Sequence, residues 1–520
     1  MMRKTIIGAL FMGLVGLASC YDDDSTLGTV NVSDIEITGL SDQSVVSYVG
    51  KKVEVHPSVS TEYAENELSY AWYMYENGMN EFEDGYRTNL ISTEKNLSYE
   101  VNLPSGSYTL VFEVTSKKND YVKTAKMNLS VSTSFSQGFY ILKETADGRT
   151  EVDLYGNDGL ASNLMEKFSG ESLKGKPRNL SIVYSGEYID PDLNKTASTN
   201  LIHVFTEDNV YRGFRSEDMK EVFNNSNLFY GGDLPSGEEP YILFRTPNYT
   251  AYFSNTGIRT AKTASFGQAA NTGMMGYPVD EVGTSKHVQL LYYGMNLVYW
   301  SDEEHKLRTI DYLFKTPADV GYTDETKYPA DLECISSGVN IMSNGDVVTA
   351  YFLCEQPSTG DRYLLLVDTF SPESISETIK LDPDFHLASS DIVTGNRMSA
   401  TYMYSIYANE LYAYSWTTKD ERKFNLPGIP AGETVTYITN QYFNAYSDES
   451  TNFDSFIVAT QVGNQYKLYF YDKEDMNGGQ PISVSQTVTG EGTVKSVRFL
   501  SPISLSGSDH YDNPLYPLTD

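Results

Sequence analysis

The residues best suited to metal or acid–base chemistry are scattered along this chain. Six histidines, at positions 56, 203, 287, 305, 386 and 510, share no metal-ligand spacing, and no His-Glu-x-x-His, Cys-x-x-Cys or Gly-x-Ser-x-Gly occurs. Asp and Glu number 70, so two carboxylates close in sequence discriminate nothing. "LDPDFH" from Leu381 and "SDEEH" from Ser301 each set carboxylates beside a histidine. A glycosidase needs two carboxyl groups about 5 to 10 Å apart across a sugar, which adjacency in sequence does not supply. Both stretches read as solvated loops. "GEGTVK" from Gly490 carries Lys495 where a dinucleotide fingerprint needs its third glycine. "KEDMNGGQPISV" from Lys473 matches a calcium loop only at Asp475, Asn477 and Gly478, with Lys473 and Val484 at the first and last ligand positions, and reads as a surface turn. No catalytic residue, metal or cofactor is expected, and the chain is read as a non-enzyme.

For ligand binding the candidates are Trp300 and Trp416, which close aromatic runs in "LVYWSDEE" and "YAYSWTTKDE". Rings near loop ends can stack on sugar faces or peptide side chains. The competing reading is packing inside a repeated β structure, which their similar settings favour.

Cysteine chemistry is concentrated at one junction. "GLVGLASCYDDDST" runs from Gly13 to Thr26, after Arg3, Lys4 and an uncharged stretch from Ile6 to Leu17, the layout of a secretory signal. The apolar stretch is shorter than the about 20 residues that span a bilayer. Leu17, Ala18, Ser19 and Cys20 resemble the lipobox of bacterial lipoproteins, which implies cleavage after Ser19 and a lipid on Cys20. Several acyl chains hold a protein firmly, at about 0.8 kcal/mol per buried methylene. Asp22, Asp23 and Asp24 resemble the signal that sends such lipoproteins to the outer face of the outer membrane. The other cysteines, Cys334 and Cys354, flank a hairpin that turns near Asn344 and Gly345. A two-residue turn pairs 334 with 355 and puts the thiols on opposite faces; a three-residue loop sets them opposite each other and permits a bridge. The expectation is no bridge.

These residues sit in a chain built for strands. Of 520 residues, 41 are Tyr and only 3 Trp, and Tyr with Val, Thr, Ile and Phe suits pleated surfaces. A net charge of −32 argues against nucleic acid or anionic headgroups as partners. Residues 1–19 read as the signal and 20–33 as a flexible acidic tether. Between 34 and 132, "YTLVFEVT" alternates Tyr108, Leu110, Phe112 and Val114 against Thr109, Glu113 and Thr115. "LSYAWYMYENG" puts Tyr70, Trp72 and Met74 on one face, with Trp72 packing across a sandwich. This length and spacing suit an immunoglobulin-like β-sandwich.

From 133 to 520 a strand–turn–aromatic-strand unit recurs. With Asn209, Asn248, Asn296, Gly345, Asn409 and Asn464 as reference turns, the separations are 39, 48, 49, 64 and 55 residues. Adding the hairpin "GFYILKETADGRTEVDLYG" gives about seven units, a period suited to propeller blades, with a second sandwich or a solenoid as the competing accounts. One short helix is predicted in "DGLASNLMEKFSG", burying Leu160, Leu164, Met165 and Phe168 and stopping at Gly170. The fold class is therefore all-β, a sandwich followed by a β-propeller-like domain.

"LSYAWYMYENG" followed by "PSGSYTLVFEVT" resembles the polycystic-kidney-disease (PKD) domain pattern, and "VSTSFSQGFYILKETADGRTEVDLYG" resembles the PKD-like lipoproteins of Bacteroidetes. The PKD signature continues Trp-Asp-Phe-Gly-Asp-Gly, whereas "YMYENG" follows Trp72 here. The resemblance implies a sandwich ahead of a long β-rich region, and a gene beside Sus-like components, a TonB-dependent transporter and its partner lipoprotein. The expected role is a surface-exposed outer-membrane lipoprotein, anchored through Cys20, that assists uptake of a glycan or peptide. A polysaccharide hydrolase or lyase on a propeller, and a purely architectural subunit of the transporter complex, are the alternatives.

Overall fold

The computed structural model describes residues 33–46, 51–77, 85–103, 106–192, 194–232, 234–246, 248–262, 272–291, 296–311, 313–341, 347–368, 370–395, 402–443 and 453–500. The signal, Cys20 and the aspartates lie outside these residues. Among the described residues two compact units result, the first of Ser33–Val45 with Lys51–Val131 and the second of Val46 with the residues from Ser132 onward. No helix among the described residues is long and apolar enough to cross a membrane.

The first unit is a β-sandwich. Its five-stranded antiparallel sheet has the order Gln43–Val46, Val122–Ser132, Gly106–Ser116, Leu68–Glu76 and Leu90–Ser92. Two short pairs, Glu36–Thr38 with Ser58–Ser60 and Lys52–Val55 with Leu97–Glu100, complete it. Trp72, Met74, Leu110, Phe112 and Val114 share its core as the alternation predicts, and Trp72 lies 4.6 Å from the Phe112 ring. Glu113 lies on the opposite face of the strand, where the alternation places it. It is buried there: Arg87 pairs with it at 2.7 Å and the Tyr86 hydroxyl donates at 2.6 Å.

The second unit is a seven-bladed β-propeller. Blades two to seven begin, in order, with the inner strands Pro177–Asp190, Pro240–Arg245, Val288–Leu290, Glu333–Ile341, Ile392–Gly395 and Thr434–Phe443, each followed outward by an antiparallel meander. The third blade has three strands among the described residues and the other five have four. The first blade is closed by the far end of the chain: Thr493–Leu500 is its inner strand and pairs with Gly138–Glu144, with Thr150–Gly156 and Gly159–Ala161 outside it. That closure is absent from the hairpin inventory because a pairing between residues some 350 apart leaves no local trace. It covers the apolar blade faces that an open ring would leave to water: Val494 and Val497 pack with Tyr437 and Ile457 of the seventh blade, and Phe499 and Leu500 join the cluster of Tyr184 in the second.

Hydrophobic clusters run between neighbouring blades. Ile141 of the first blade meets Tyr437, Ile457 and Phe470 of the seventh, and Val183 and Leu201 of the second meet Leu243 and Tyr252 of the third. The tyrosine surplus belongs here, because a ring fills the wedge while its hydroxyl finds a buried partner. Tyr252 donates to Glu238 at 2.9 Å, Tyr469 to Glu433 at 2.9 Å, Tyr404 to the Gly479 carbonyl at 2.6 Å, and Tyr299 to Asp280. Between the first and seventh blades, Asp153 accepts from Lys143 Nζ at 2.7 Å and from the Tyr466 hydroxyl at 2.7 Å, with both charges buried.

The uneven reference spacing also has a structural cause. Asn209, Asn409 and Asn464 lie at turns between second and third strands, whereas Asn248 lies between a first and a second strand and Asn296 opens a second strand; Gly345 falls outside the described residues. Equivalent second-to-third turns at Asn209, Asn255, Glu304, Gly360, Asn409 and Asn464 are separated by 46, 49, 56, 49 and 55 residues, close to one blade each. Asn209 and Asn409 hold left-handed backbone, with φ of 59° and 67°, a conformation that asparagine tolerates. The helix spans Leu164–Ser169 with Gly170 beyond it at φ 86°, while Leu160 falls instead in the strand Gly159–Ala161. Glu151, buried beneath, accepts from the Met165 and Glu166 amides at 3.0 and 2.9 Å.

In the fifth blade Cys334 pairs with Cys354, not with residue 355. The register shifts by one residue between Cys334 and Ser336, and this bulge at Ile335 sets the two cysteines opposite each other. Both are free thiols.

His203, in the second strand of the second blade, supplies a pH dependence. Burial lowers its pKa to about 3, and its Nδ1 lies 2.8 Å from the Tyr211 hydroxyl. An unfolded chain takes up this proton near pH 6.5 and the folded one only near 3, so stability is full above 6.5 and is lost as pH falls through that window. Glu217 acts oppositely, since burial raises its carboxyl to about 7 and stability falls as pH rises from its ordinary range to that value. The His203 contribution is therefore read by difference. In His203→Gln the stability lost between pH 7 and pH 5 is expected to shrink by about 2 kcal/mol relative to wild type, measured by urea unfolding at both values.

Candidate ligand cavity at the propeller mouth

Inner strands of four blades begin at one end of the ring, and their first residues surround a cavity of about 570 Å³. Pro177 and Pro240 open the second and third inner strands, at the strand position where a missing N–H costs the ladder least. They place Arg178, Asn179 and Tyr241 on the wall. The segment Ser285–His287, just before the fourth inner strand, and Cys334, near the start of the fifth, continue it. Glu207 and Asp302 come from second-to-third strand turns, and Lys495 from the closing strand.

The lining is polar and charged. Arg178 reaches Glu239 at 3.3 Å and lies over the Tyr241 ring, 5.9 Å from its centroid. Lys495 pairs with Glu144 at 3.3 Å, whereas Lys286 is exposed and makes no ion pair among the described residues. Asp302 stands at the rim; crowding by surrounding protein raises its pKa to about 6, against the pull of His305 and Lys286. Burial, followed by the Asp302 and Glu239 charges, pushes the Tyr241 hydroxyl up to about 12. His287 is 3% exposed and kept neutral by burial, with nearby Lys286 adding to the effect. Its Nδ1 has no hydrogen-bond partner. A buried imidazole nitrogen left unsatisfied beside a polar cavity is a ready acceptor for a ligand hydroxyl or a water.

The lining offers hydrogen-bond donors, acceptors and one aromatic ring. Arg178, Lys286, Lys495 and Asn179 donate, Glu207, Asp302 and His287 accept, and Tyr241 offers apolar surface. The volume lies in the range of about 300–1,000 Å³ typical of small-molecule sites. No group of three or more His, Cys, Asp or Glu side chains among the described residues could hold a metal ion.

The two tryptophans lie elsewhere. Trp300 is fully buried on the second strand of the fourth blade, in the cluster with Leu307, Leu332 and Cys354. Trp416 follows the third strand of the sixth blade and packs on Tyr351, 6.0 Å between rings. Their positions in the repeat therefore differ, and neither ring is free to stack on a ligand from solvent. In an antiparallel meander successive hairpins look alike in sequence, which is why the two seemed equivalent.

"SDEEH" divides its residues between uses. Asp302 joins the cavity, Glu303 accepts the Gly283 amide at 3.1 Å, and His305 Nδ1 lies 3.0 Å from the Leu332 carbonyl. In "LDPDFH", His386 bonds not to the neighbouring aspartates but to Glu421, at 2.8 Å, and stacks on Tyr412. Asp302 is the site residue that sequence reasoning set aside. Its signal was its place in a second-to-third strand turn, visible only once the repeat is in register. The segment at Asp475 and Asn477 forms a short surface hairpin, Met476–Asn477 with Gln480–Pro481.

No curated protein matches the sequence. Among solved structures the chain is similar to a quinonprotein alcohol dehydrogenase-like protein from Bacteroides thetaiotaomicron, at 13% identity and a TM-score of 0.40, covering 89% of this chain and 96% of that one. It is also similar to the Dos1 propeller, at 10% identity and a TM-score of 0.34, covering 75% and 83%. By sequence, residues 20–177 match the model of the PKD-like family, a stretch that takes in the described sandwich and the consecutive strands of the first blade.

Proposed function

We propose that this protein is a non-enzymatic, surface-exposed outer-membrane lipoprotein that binds a glycan fragment at the propeller mouth and assists its uptake through a Sus-like system. The observation that carries the binding role is the convergence of charged and polar groups from four blades on one cavity. Arg178 and Lys495 are held by Glu239 and Glu144, which leaves Lys286 as the lining cation with no ion pair among the described residues. Close-set donors and acceptors match the hydroxyls of a sugar, and the unpaired Lys286 favours a sugar that carries a carboxylate. A lipid on Cys20 would hold the site beside a TonB-dependent transporter and its partner lipoprotein, raising local ligand concentration without catalysis. The lipobox and aspartates support the anchor and its outward direction, and the PKD-like match is compatible with an accessory role.

The test is to incubate the protein with pools of neutral and uronate-containing oligosaccharides and of peptides, recording retention and product release together. Retention of oligosaccharide without turnover is expected. Product release that is lost on substituting Asp302 or Glu207 would make the protein a hydrolase or lyase, and retention of neither pool would leave the architectural role. In cells, Cys20→Ser is expected to move the protein out of the membrane fraction; its persistence there would remove the anchor.

A further inference from the structure

We infer that Cys334 and Cys354 form an oxidation-dependent cross-strand disulfide at the wall of the mouth cavity, a modification independent of what the cavity binds. Directly opposed residues of an antiparallel pair have Cα atoms about 4.5 or 5.5 Å apart, and both spacings lie within the about 4.4–6.8 Å that a disulfide spans. Cys334 and Cys354 are such a pair, and the bulge at Ile335 makes them so: an unbroken ladder from Ser336 and Leu353 would set Ile335 against Cys354. The same one-residue bulge recurs near the start of the inner strands of the second, third and seventh blades; in the fifth it lines up the only two cysteines among the described residues. The thiols are already neighbours. Burial first, and then the Cys354 thiol beside it, raise the Cys334 pKa, while Cys334 Sγ donates weakly to the Ser336 carbonyl at 3.5 Å and Cys354 Sγ to the Phe352 carbonyl at 3.9 Å.

The two thiols differ in access. Cys354 is fully buried, whereas Cys334 is half-buried and lines the cavity, so a reagent reaches Cys334 first. With a small-molecule disulfide as oxidant, the Cys334 thiolate attacks one of its sulfurs and releases one thiolate. The Cys354 thiolate then attacks Cys334 Sγ, forms the intramolecular S–S bond and expels the second thiolate. The two protons given up by the cysteines pass to the two released thiols, and the oxidant gains the two electrons that the cysteines lose. The raised Cys334 pKa makes the first step slow at neutral pH and faster as pH rises. The bridge staples the first two strands of the fifth blade across the 19 residues that separate the cysteines.

The experiment uses the full chain carrying Cys20→Ser, so that 334 and 354 are its only cysteines. The reduced, folded protein is held with oxidised glutathione at pH 8, then denatured, alkylated and weighed. The expected result is a two-proton deficit reversed by dithiothreitol, a single linked pair of peptides containing Cys334 and Cys354, and a higher thermal midpoint than the reduced form. Cys354→Ala is expected to stop the reaction at one glutathione on Cys334. Two alkylated thiols after prolonged oxidation, a bridge only between molecules, or glutathione held on Cys334 with Cys354 intact would each overturn the inference.

Discussion

Replacing Asp153 by Ala is expected to cost the propeller about 3–5 kcal/mol, the usual penalty for stripping one partner from a buried ion pair. Asp153 is fully buried and accepts from Lys143 Nζ at 2.7 Å, the Tyr466 hydroxyl at 2.7 Å and the Asn163 amide at 2.8 Å. Lys143 is 1% exposed, so its ammonium would be left without water or counter-ion. Tyr466 belongs to the seventh blade and Asp153 to the first, so the carboxylate also ties the ring where it closes. The double replacement Lys143→Met with Asp153→Leu is expected to regain most of the loss, since a well-packed apolar pair avoids the stranded charge. Urea unfolding of Lys143→Met, Asp153→Leu and the double measures the coupling. A loss under about 1 kcal/mol for Asp153→Ala would contradict this placement.

The largest effect is expected from ending the chain after Gly492. This removes Thr493–Leu500 and with it the buried Val494, Val497, Arg498, Phe499 and Leu500. Gly138–Glu144 then loses the partner along one whole edge. Its apolar side chains, and the facing residues of the second and seventh blades, meet water, and an exposed, flat edge pairs with other chains. The truncated protein is expected to aggregate or to be cleaved rapidly beyond residue 132, in the propeller. Gel filtration and limited proteolysis read this, and a monomer as resistant as wild type would contradict the closure.

What the sequence made legible was local. Alternation in "YTLVFEVT" located the core face of the sandwich, and the aromatic hairpins with Asn turns marked the blades. The helix was legible through Leu164, Met165, Phe168 and the terminal Gly170. Three features left no local sign. The closing strand meets a partner some 350 residues away. Glu113 owes its burial to Arg87 and Tyr86, and alternation alone gives only its face. The cysteine register hangs on one bulged residue, Ile335, which no hairpin rule places. The cavity combines both kinds of information: each lining residue sits at a strand start or turn readable by itself, but their convergence needs the ring. The tryptophans were ambiguous in sequence, because burial between blades and exposure at a loop end share the same aromatic pattern; both are buried, the reading that their settings favoured.

The central claim is that the propeller mouth binds a sugar through Lys286, Asp302 and their neighbours. Calorimetric titration with uronate-containing oligosaccharides, alongside neutral ones of the same length, tests it most directly. Saturable binding is predicted for wild type, and Asp302→Asn is predicted to weaken both ligands by about tenfold, ~1.4 kcal/mol. Lys286→Ala is predicted to weaken the acidic ligand by a similar factor while sparing the neutral one. Absence of binding to either class, or affinities unchanged in both variants, would contradict it.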